Sequence, residues 1–300
     1  MIKIIGSICL LFGICAAAMG QLAYDESQFR AFDGRGNPVA LTDIVKAAGG
    51  ADAIFFGEQH DDAVGHAIQA EAFRRIVADY SARRNVTLAM EMFEKDVQIV
   101  LDEYLNGQIT EAQFMASSRP WGNYKTDYRP LVELAKEKKL TVVASNAPRR
   151  YVNMVSRGGR EALDTLSKQA KSYLPPLPYG QPSDAYSKKF KDLMGPSPEA
   201  QMGIDKILSS QSLWDASFAY SVSQAIKQKK NTLVMHLNGG FHTESRLGTI
   251  EHLLKYSPKL KVIVVTMLTT DDFRTFDKSK HLDLGDYVIL TDSKVPRSKR

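Results

Sequence analysis

Cysteine is nearly absent from this chain. Both copies, Cys9 and Cys15, fall within the first twenty residues. From Gln21 onward there is no thiol, which excludes disulfides, thiolate metal ligands and cysteine nucleophiles there. Two other chemistries lack their signatures: no His-Glu-x-x-His pattern of zinc proteases occurs, and no Gly-x-Ser-x-Gly turn that would expose a nucleophilic serine. Internal repeats and low-complexity linkers are also missing. Charge of one sign is only in mild excess, at a formal net +5, which decides little about partners.

The one long apolar run is at the start. Met1-Ile2-Lys3 supplies a positive charge, Ile4 to Ala18 is apolar or small, and Ala18-Met19-Gly20 places small residues before a cleavage point. Residues 1–20 are therefore expected to be a signal peptide removed before Gln21, giving an exported, periplasmic or outer-membrane-associated protein. The stretch is short for a membrane span and no basic stop follows it. Cys15 is the alternative, as a lipid attachment site, but Phe12-Gly13-Ile14 lacks the small residue that normally precedes such a cysteine. At the other end, residues 294–300 form a basic tail. It is expected to be frayed and solvated rather than a nucleic-acid arm, so no nucleic acid is expected as a partner.

Residues 21–293 are long enough for one α/β core. Phe29 to Phe32 suggests an extended entry, with Asp33-Gly34 as a turn. Core strands are expected at 51–56, 86–92, 140–145, 232–235, 261–268 and 287–291. Helices are expected at 41–48, 62–82, 93–105, 110–118, 131–138 and 245–254. Alternation of this kind predicts a mostly parallel sheet flanked by helices. Between the third and later core strands, about 149–230, the pattern is helical without a strand, apart from the proline-rich loop Tyr173 to Pro182. This insertion either roofs the crevice at the strand ends or covers one sheet face.

Two strand ends carry similar residues. The first has Glu58, His60 and His66, and the later one has His236, Asn238 and His242; a third strand end carries Glu91. In a parallel sheet such ends share one edge, so these groups are expected to converge. His with carboxylate would bind a divalent metal, with His60, His66 and His236 as ligands, or would serve without metal as general base and acid. Arg149 and Arg150 follow the third strand and would pair with a ligand carboxylate or phosphate. Trp121 to Tyr128 suggests a flat apolar ligand, and a tyrosine phenolate is one of few groups able to hold ferric haem without Cys or Met.

In order along the chain, several segments resemble one family: Phe55-Phe56-Gly57-Glu58-Gln59-His60-Asp61, His66 with Gln69, Met90-Glu91-Met92-Phe93 with Gln98, and Leu101 to Gly107. Trp121 with Tyr128-Arg129-Pro130-Leu131 follows, then Asn146-Ala147-Pro148-Arg149, Gln211 with Leu213-Trp214-Asp215, and His236 to His242. The series is similar to the ChaN-type haem-binding proteins associated with bacterial iron acquisition. That resemblance implies an exported α/β protein with a helical lobe. It implies haem held by a tyrosine, with Tyr128 the best match and Trp121, Arg149, Arg150 and His242 around it. It also implies partners: a second copy enclosing stacked haems, and an outer-membrane haem receptor. The chain departs at Phe218, where the family pattern leads one to expect Met, and at Cys15, since members are often lipoproteins. The family is distantly similar to erythromycin esterases and Tiki-type metalloproteases, which share the Gly-Glu-x-His strand end. The alternative function is thus a metal- or Glu/His-dependent hydrolase working through Glu58, His60, Glu91 and His236.

Overall fold

The structure is a computed structural model that describes residues 23–197 and 203–299. The expected signal peptide, with Cys9 and Cys15, lies outside the described residues. Eight strands form one sheet: β1 (Phe29–Asp33), β2 (Pro38–Val39), β3 (Ala53–Glu58), β4 (Asn85–Glu94), β5 (Thr141–Asn146), β6 (Thr232–Gly239), β7 (Val262–Thr270) and β8 (Tyr287–Asp292). Their order is β2-β1-β8-β7-β3-β6-β4-β5. The six strands from β8 to β5 run parallel, while β1 pairs antiparallel with β8 and with β2. The extended entry is therefore a sheet strand in a hairpin, which covers what would otherwise be the exposed edge of β8.

Successive side chains of a strand point to opposite faces, and β3 is buried along its whole length. Ile54 and Phe56 pack with Ile68, Phe73 and Ile76 of helix α2 (Ala63–Tyr80) on one face. Preceding α2 in the chain is α1 (Leu41–Ala48), whose Ile44 and Val45 join the same cluster. Ala53 and Phe55 face the other way, towards Ala219 and Val222 of the long helix at Ile204–Gln228 and Ile250 and Leu253 of the helix at Thr249–Tyr256. Burial on both faces explains the unbroken apolar run in the sequence.

The remaining helices are α3 (Gln98–Leu105), α4 (Glu111–Ser118), α5 (Arg129–Glu137), α6 (Arg149–Gly158), α7 (Lys168–Lys171) and α8 (Asp184–Met194). They are followed by α9 (Ile204–Gln228), α10 (Thr249–Tyr256) and α11 (Lys278–His281). The helical insertion covers a sheet face with one part of α9 and packs against other helices with the rest. The C-terminal half of α9 covers a sheet face, whereas Leu213 and Trp214 join Ala147, Tyr151 and Tyr179 in a cluster that contains no strand residue. Ile204 and Leu208 do likewise with Tyr186, Phe190 and Phe241. No helix of the described residues is long and apolar enough to cross a membrane.

Candidate functional site

Strand β3 ends on Glu58, whose side chain is 1% exposed. Its Oε1 accepts the Tyr128 hydroxyl at 2.6 Å and lies 2.9 Å from His60 Nδ1 and 3.4 Å from His66 Nε2. Its Oε2 accepts Gln69 Nε2 at 2.8 Å. Asp62 caps the N-terminus of α2 by accepting from Val64 N, so His66 and Gln69 fall on the first turns and face the strand end. On the other side of His66, Nδ1 lies 3.0 Å from Asp127 Oδ2, and Asn123 Nδ2 donates to that same oxygen at 2.6 Å. Asp127 and Tyr128 are presented by a π-helical turn, Tyr124–Tyr128, that leads directly into α5.

The electrostatics of this cluster are those of a buried ion pair. Burial opposes the charge on Glu58, yet His66 and the His60 hydrogen bond hold its carboxyl well below the usual range. Burial likewise opposes the His66 cation, but Glu58 and Asp127 raise its pKa well above that of a free imidazole. Tyr128 is fully buried; its burial and the Glu58 carboxylate push the phenol far above its ordinary value. A phenolate at this position is strongly disfavoured. In this structure the Tyr128 hydroxyl is turned inward to Glu58 and away from solvent.

The basic tail also differs from expectation. It lies over this strand end instead of fraying. Ser298 N donates to Asp61 O at 2.9 Å, Ser298 Oγ to Asp127 Oδ1 at 3.0 Å, and Arg297 lies 3.2 Å from Asp61. His60 looks outward from the β3 end, with 26% of its side chain exposed and Trp121 edge-on at 4.8 Å. Its Nε2 is 3.9 Å from Glu91 Oε1. Glu91 is fixed in turn by Gly239 N, which donates to Oε2 at 2.7 Å. A Cβ on Gly239 would fall 2.8 Å from His60 Nε2 and 3.7 Å from His242, so only glycine lets β6 pass between these rings. His60, Glu91 and His242 are thus brought to one place.

His236 is not. It lies inside β6 rather than beyond it, fully buried. Asn238 Nδ2 donates to Gly239 O and Thr243 Oγ1, which leaves its Oδ1 to accept His236 Nδ1–H at 3.0 Å. His236 Nε2 then accepts the Ser145 hydroxyl at 3.0 Å. Burial lowers its pKa to about 4, so the ring is neutral near pH 7 with both nitrogens engaged. Among the described residues, no three His, Asp or Glu side chains are arranged to hold a metal ion. The metal set His60, His66 and His236 is not assembled, because both nitrogens of His236 are engaged inside β6 while His66 lies between Glu58 and Asp127, and His236 is equally out of reach as a catalytic group.

The β6 end differs. After β6, Gly240–His242 forms a short 3-10 turn that turns His242 back over the strand end. His242 Nδ1 lies 2.9 Å from Asp215 Oδ1 on α9, while 10% of the His242 side chain reaches solvent. Burial lowers its pKa, but Asp215 outweighs that and the net shift is upward. Phe218, Trp214 and Phe241 surround the ring edge-on at 5.2, 6.3 and 6.1 Å. Nearby, Arg149 is exposed at the start of α6. Arg150 pairs with Asp96, which also holds Arg119 at 2.7 Å. Arg150 Nη2 donates to the Tyr151 hydroxyl at 3.2 Å, and its guanidinium lies 4.4 Å over the same ring. Lys95, whose ammonium is disfavoured by burial, donates to Ser221 at 3.1 Å.

A cavity of about 990 Å³ opens elsewhere, between α2 and α5, lined by Glu71, Arg74, Lys125 and Arg129 with His66 and Asp127 at its base. None of His60, Glu91 or His242 borders it. Sequence reasoning missed Asp215, Asp127, Ser145 and Tyr151. Asp215 stands in the Leu213-Trp214-Asp215 motif, and Tyr151 directly follows the two arginines, so both were adjacent to signals in hand.

A family profile described as haem-binding uptake, Tiki superfamily, ChaN matches residues 44–253. No curated protein matches the sequence. Among solved structures, one described as cofacial haem binding to ChaN of Campylobacter jejuni superposes with a TM-score of 0.69 at 19% identity, covering 90% of this chain and 100% of that one. A succinoglycan biosynthesis protein follows at TM-score 0.50 and 10% identity, covering 87% and 92%. A mutant of the erythromycin esterase EreC reaches 0.45 at 10% identity, covering 80% and 77%. At such identities the likeness to these structures is one of fold.

Proposed function

The chain belongs to the ChaN family of haem-binding uptake proteins within the Tiki superfamily, and from that premise we propose that it is an exported haem-binding protein of bacterial iron acquisition. The observation that carries the proposal is the family match itself, which spans β3 to α10 and so every strand end that builds the crevice. The residues there suit the ligand. Trp121, Trp214 and Phe241 offer flat apolar surface, and Arg149 offers an exposed cation for a propionate.

Bound haem would supply an iron centre that a protein side chain would hold. We assign the tyrosine ligand to Tyr151. Its hydroxyl takes a single hydrogen bond, from Arg150, and its ring packs in the cluster that includes Trp214. Tyr128, by contrast, already donates to Glu58. Residues 1–20 are proposed as the export signal. A second copy enclosing stacked haems, in keeping with the cofacial haem binding named for the Campylobacter protein, and delivery from an outer-membrane haem receptor complete the proposal.

The test is an absorbance titration of the protein with ferric haem, repeated on Tyr151→Phe. A saturable, shifted Soret band in the wild type that moves or weakens in the variant is the expected result. A spectrum indistinguishable from free haem would end the proposal.

A second function is favoured by one observation, the outward His60 held by Glu58 and facing Glu91. That is a general-base arrangement with a second carboxylate at hand. Hydrolysis of an ester or peptide panel that disappears in Glu91→Gln would support it; equal background rates in both proteins would dismiss it.

A further inference from the structure

We infer that Arg297 and Ser298 of the C-terminal tail are a salt-releasable clasp. Docked, they hold the segment Trp121–Tyr128 against the turn that follows β3, and with it the Trp121 ring beside His60. This device is independent of which ligand the crevice takes.

Hydrogen bonds lead the tail back across the sheet. After β8, Ser293 N donates to Thr270 O at 3.2 Å, Lys294 N to Asp292 Oδ1 at 2.9 Å and Val295 N to Asp292 O at 3.2 Å. Val295 packs against the main core cluster, which anchors this root. Beyond Pro296 the contacts change in kind. Arg297 Nη1 lies 3.2 Å from Asp61 Oδ1, and it donates to Thr269 Oγ1 at 3.1 Å and to Gln59 Oε1 at 3.4 Å. Ser298 bonds Asp61 O through its N–H and Asp127 Oδ1 through its hydroxyl. Two residues thereby join β7, the turn after β3 and the π-helical turn.

Residues 59–61 are gripped from the other side by the aromatic segment. Asn123 Nδ2 donates to His60 O at 3.1 Å and to Asp127 Oδ2 at 2.6 Å, while its buried Oδ1 receives no hydrogen bond. Asp127 is the shared post: one carboxylate oxygen takes Ser298, and the other faces both Asn123 and His66. Trp121, two residues before Asn123, lies edge-on to His60 at 4.8 Å and to Tyr128 at 6.0 Å. Withdrawing Ser298 leaves Asp127 Oδ1 to water and loosens the Asn123 link to His60, next to the Trp121 ring.

The clasp is weak where it touches and firm where it is rooted. The Arg297 and Asp61 side chains are 43% and 46% exposed, and an ion pair so exposed is weak and is screened by salt. Pro296, Arg297 and Lys299 remain exposed in the docked tail, so release gives up little buried apolar surface. What seats the tail is charge: its basic residues meet Asp61 and Asp127 at the strand ends. Val295 stays packed when the tip lets go, and Pro296 lies between the two.

The experiment reads Trp121 directly. The chain has two tryptophans, so Trp214→Phe leaves Trp121 as its one indole. Acrylamide quenching of that fluorescence is measured on this protein, on the same protein ending at Pro296, and on its Arg297→Ala and Ser298→Ala variants. Each is taken at about 0.05 M and about 0.5 M NaCl, on either side of the salt range that screens an exposed pair. Hydrogen exchange is followed in parallel. The expected result at low salt is a quenching constant raised by a factor of about two on truncation, less in the single variants, with exchange faster only at 59–63 and 121–128. High salt brings the intact protein towards the truncated one and leaves the truncated one unchanged. Equal quenching with and without the tail, or a constant in the intact protein that ignores salt, overturns the inference. So does exchange accelerated throughout the sheet, which is lost stability rather than a released segment. Should the truncated protein fail to fold, the two single variants decide: quenching equal to that of the intact protein in both rejects the clasp.

Discussion

At the end of β3, Glu58, His66 and Asp127 share their charges with one another, and the Tyr128 hydroxyl, Gln69, Asn123 and Ser298 fill the remaining bonds. At the end of β6, His242 pairs through Nδ1 with a single carboxylate, and 10% of its side chain is exposed. The residue types are the same. What differs is the number of partners: each nitrogen of His66 faces a carboxylate within 3.4 Å, whereas His242 is paired through Nδ1 alone. A histidine next to a carboxylate therefore says little by itself; the state of its second nitrogen separates a structural knot from a binding site.

The sharpest way to break this comparison is to remove the centre of the knot. Glu58→Ala leaves the His66 cation facing one carboxylate in a sealed site, and breaking a buried pair costs about 3–5 kcal/mol. Urea denaturation should show that loss as a lowered midpoint with an unchanged slope; a shift worth under about 1 kcal/mol would mean that the cluster is solvated.

Acid provides the next effect. Burial holds His236 and His252 at about 4, below the ordinary imidazole value of about 6.5. Between those limits the unfolded chain binds more protons than the folded one, so stability falls as pH drops from about 6.5 towards 4, by on the order of 3 kcal/mol per histidine at most. His66 has the opposite sign: its contribution is fully present below about pH 6.5 and is lost progressively as pH rises from there to its folded pKa of about 10. Thermal melts across pH 4 to 8 check this, and a flat profile would show that the two depressed histidines are hydrated.

Smaller substitutions sharpen the contrast. Tyr128→Phe removes one hydroxyl donated to a carboxylate, a loss of about 1.5–3 kcal/mol, and should leave haem binding intact. Tyr151→Phe should do the reverse, with weakened haem binding at nearly unchanged stability. Deleting residues 294–300 removes the Ser298 bonds and should cost only about 1–2 kcal/mol. Hydrogen exchange at the start of α2 would rise in that truncation if the tail seals the knot, and would stay level if it does not.

Much of the fold was legible in the sequence. The runs at 53–56, 86–90 and 262–268 are apolar because helices bury both faces of the sheet. The strand ends were less so. β6 carries on past Met235 through His236 and Asn238, because Gly57 and Glu58 of β3 pair with Asn238 and Gly239; hydrogen bonding extends a strand whose polar side chains suggest a loop. That displacement turned His236 from an expected site residue into a buried one. β4 extends for the same reason through Glu94, pairing with Asn146 across a bulge. The Asp215–His242 pair was not legible at all, since 27 residues and a strand separate its members and no periodicity links them. Nor was the tail's docking, which depends on Asp61 and Asp127 meeting in space.

The most direct measurement is a ferric haem titration of the Tyr128→Phe protein beside the wild type. The expected result is a saturable Soret shift of the same position and stoichiometry in both, with only the variant's melting temperature lowered. A shift present in the wild type and lost in folded Tyr128→Phe would contradict a purely structural role for Tyr128 at the β3 end, and would return the iron to it.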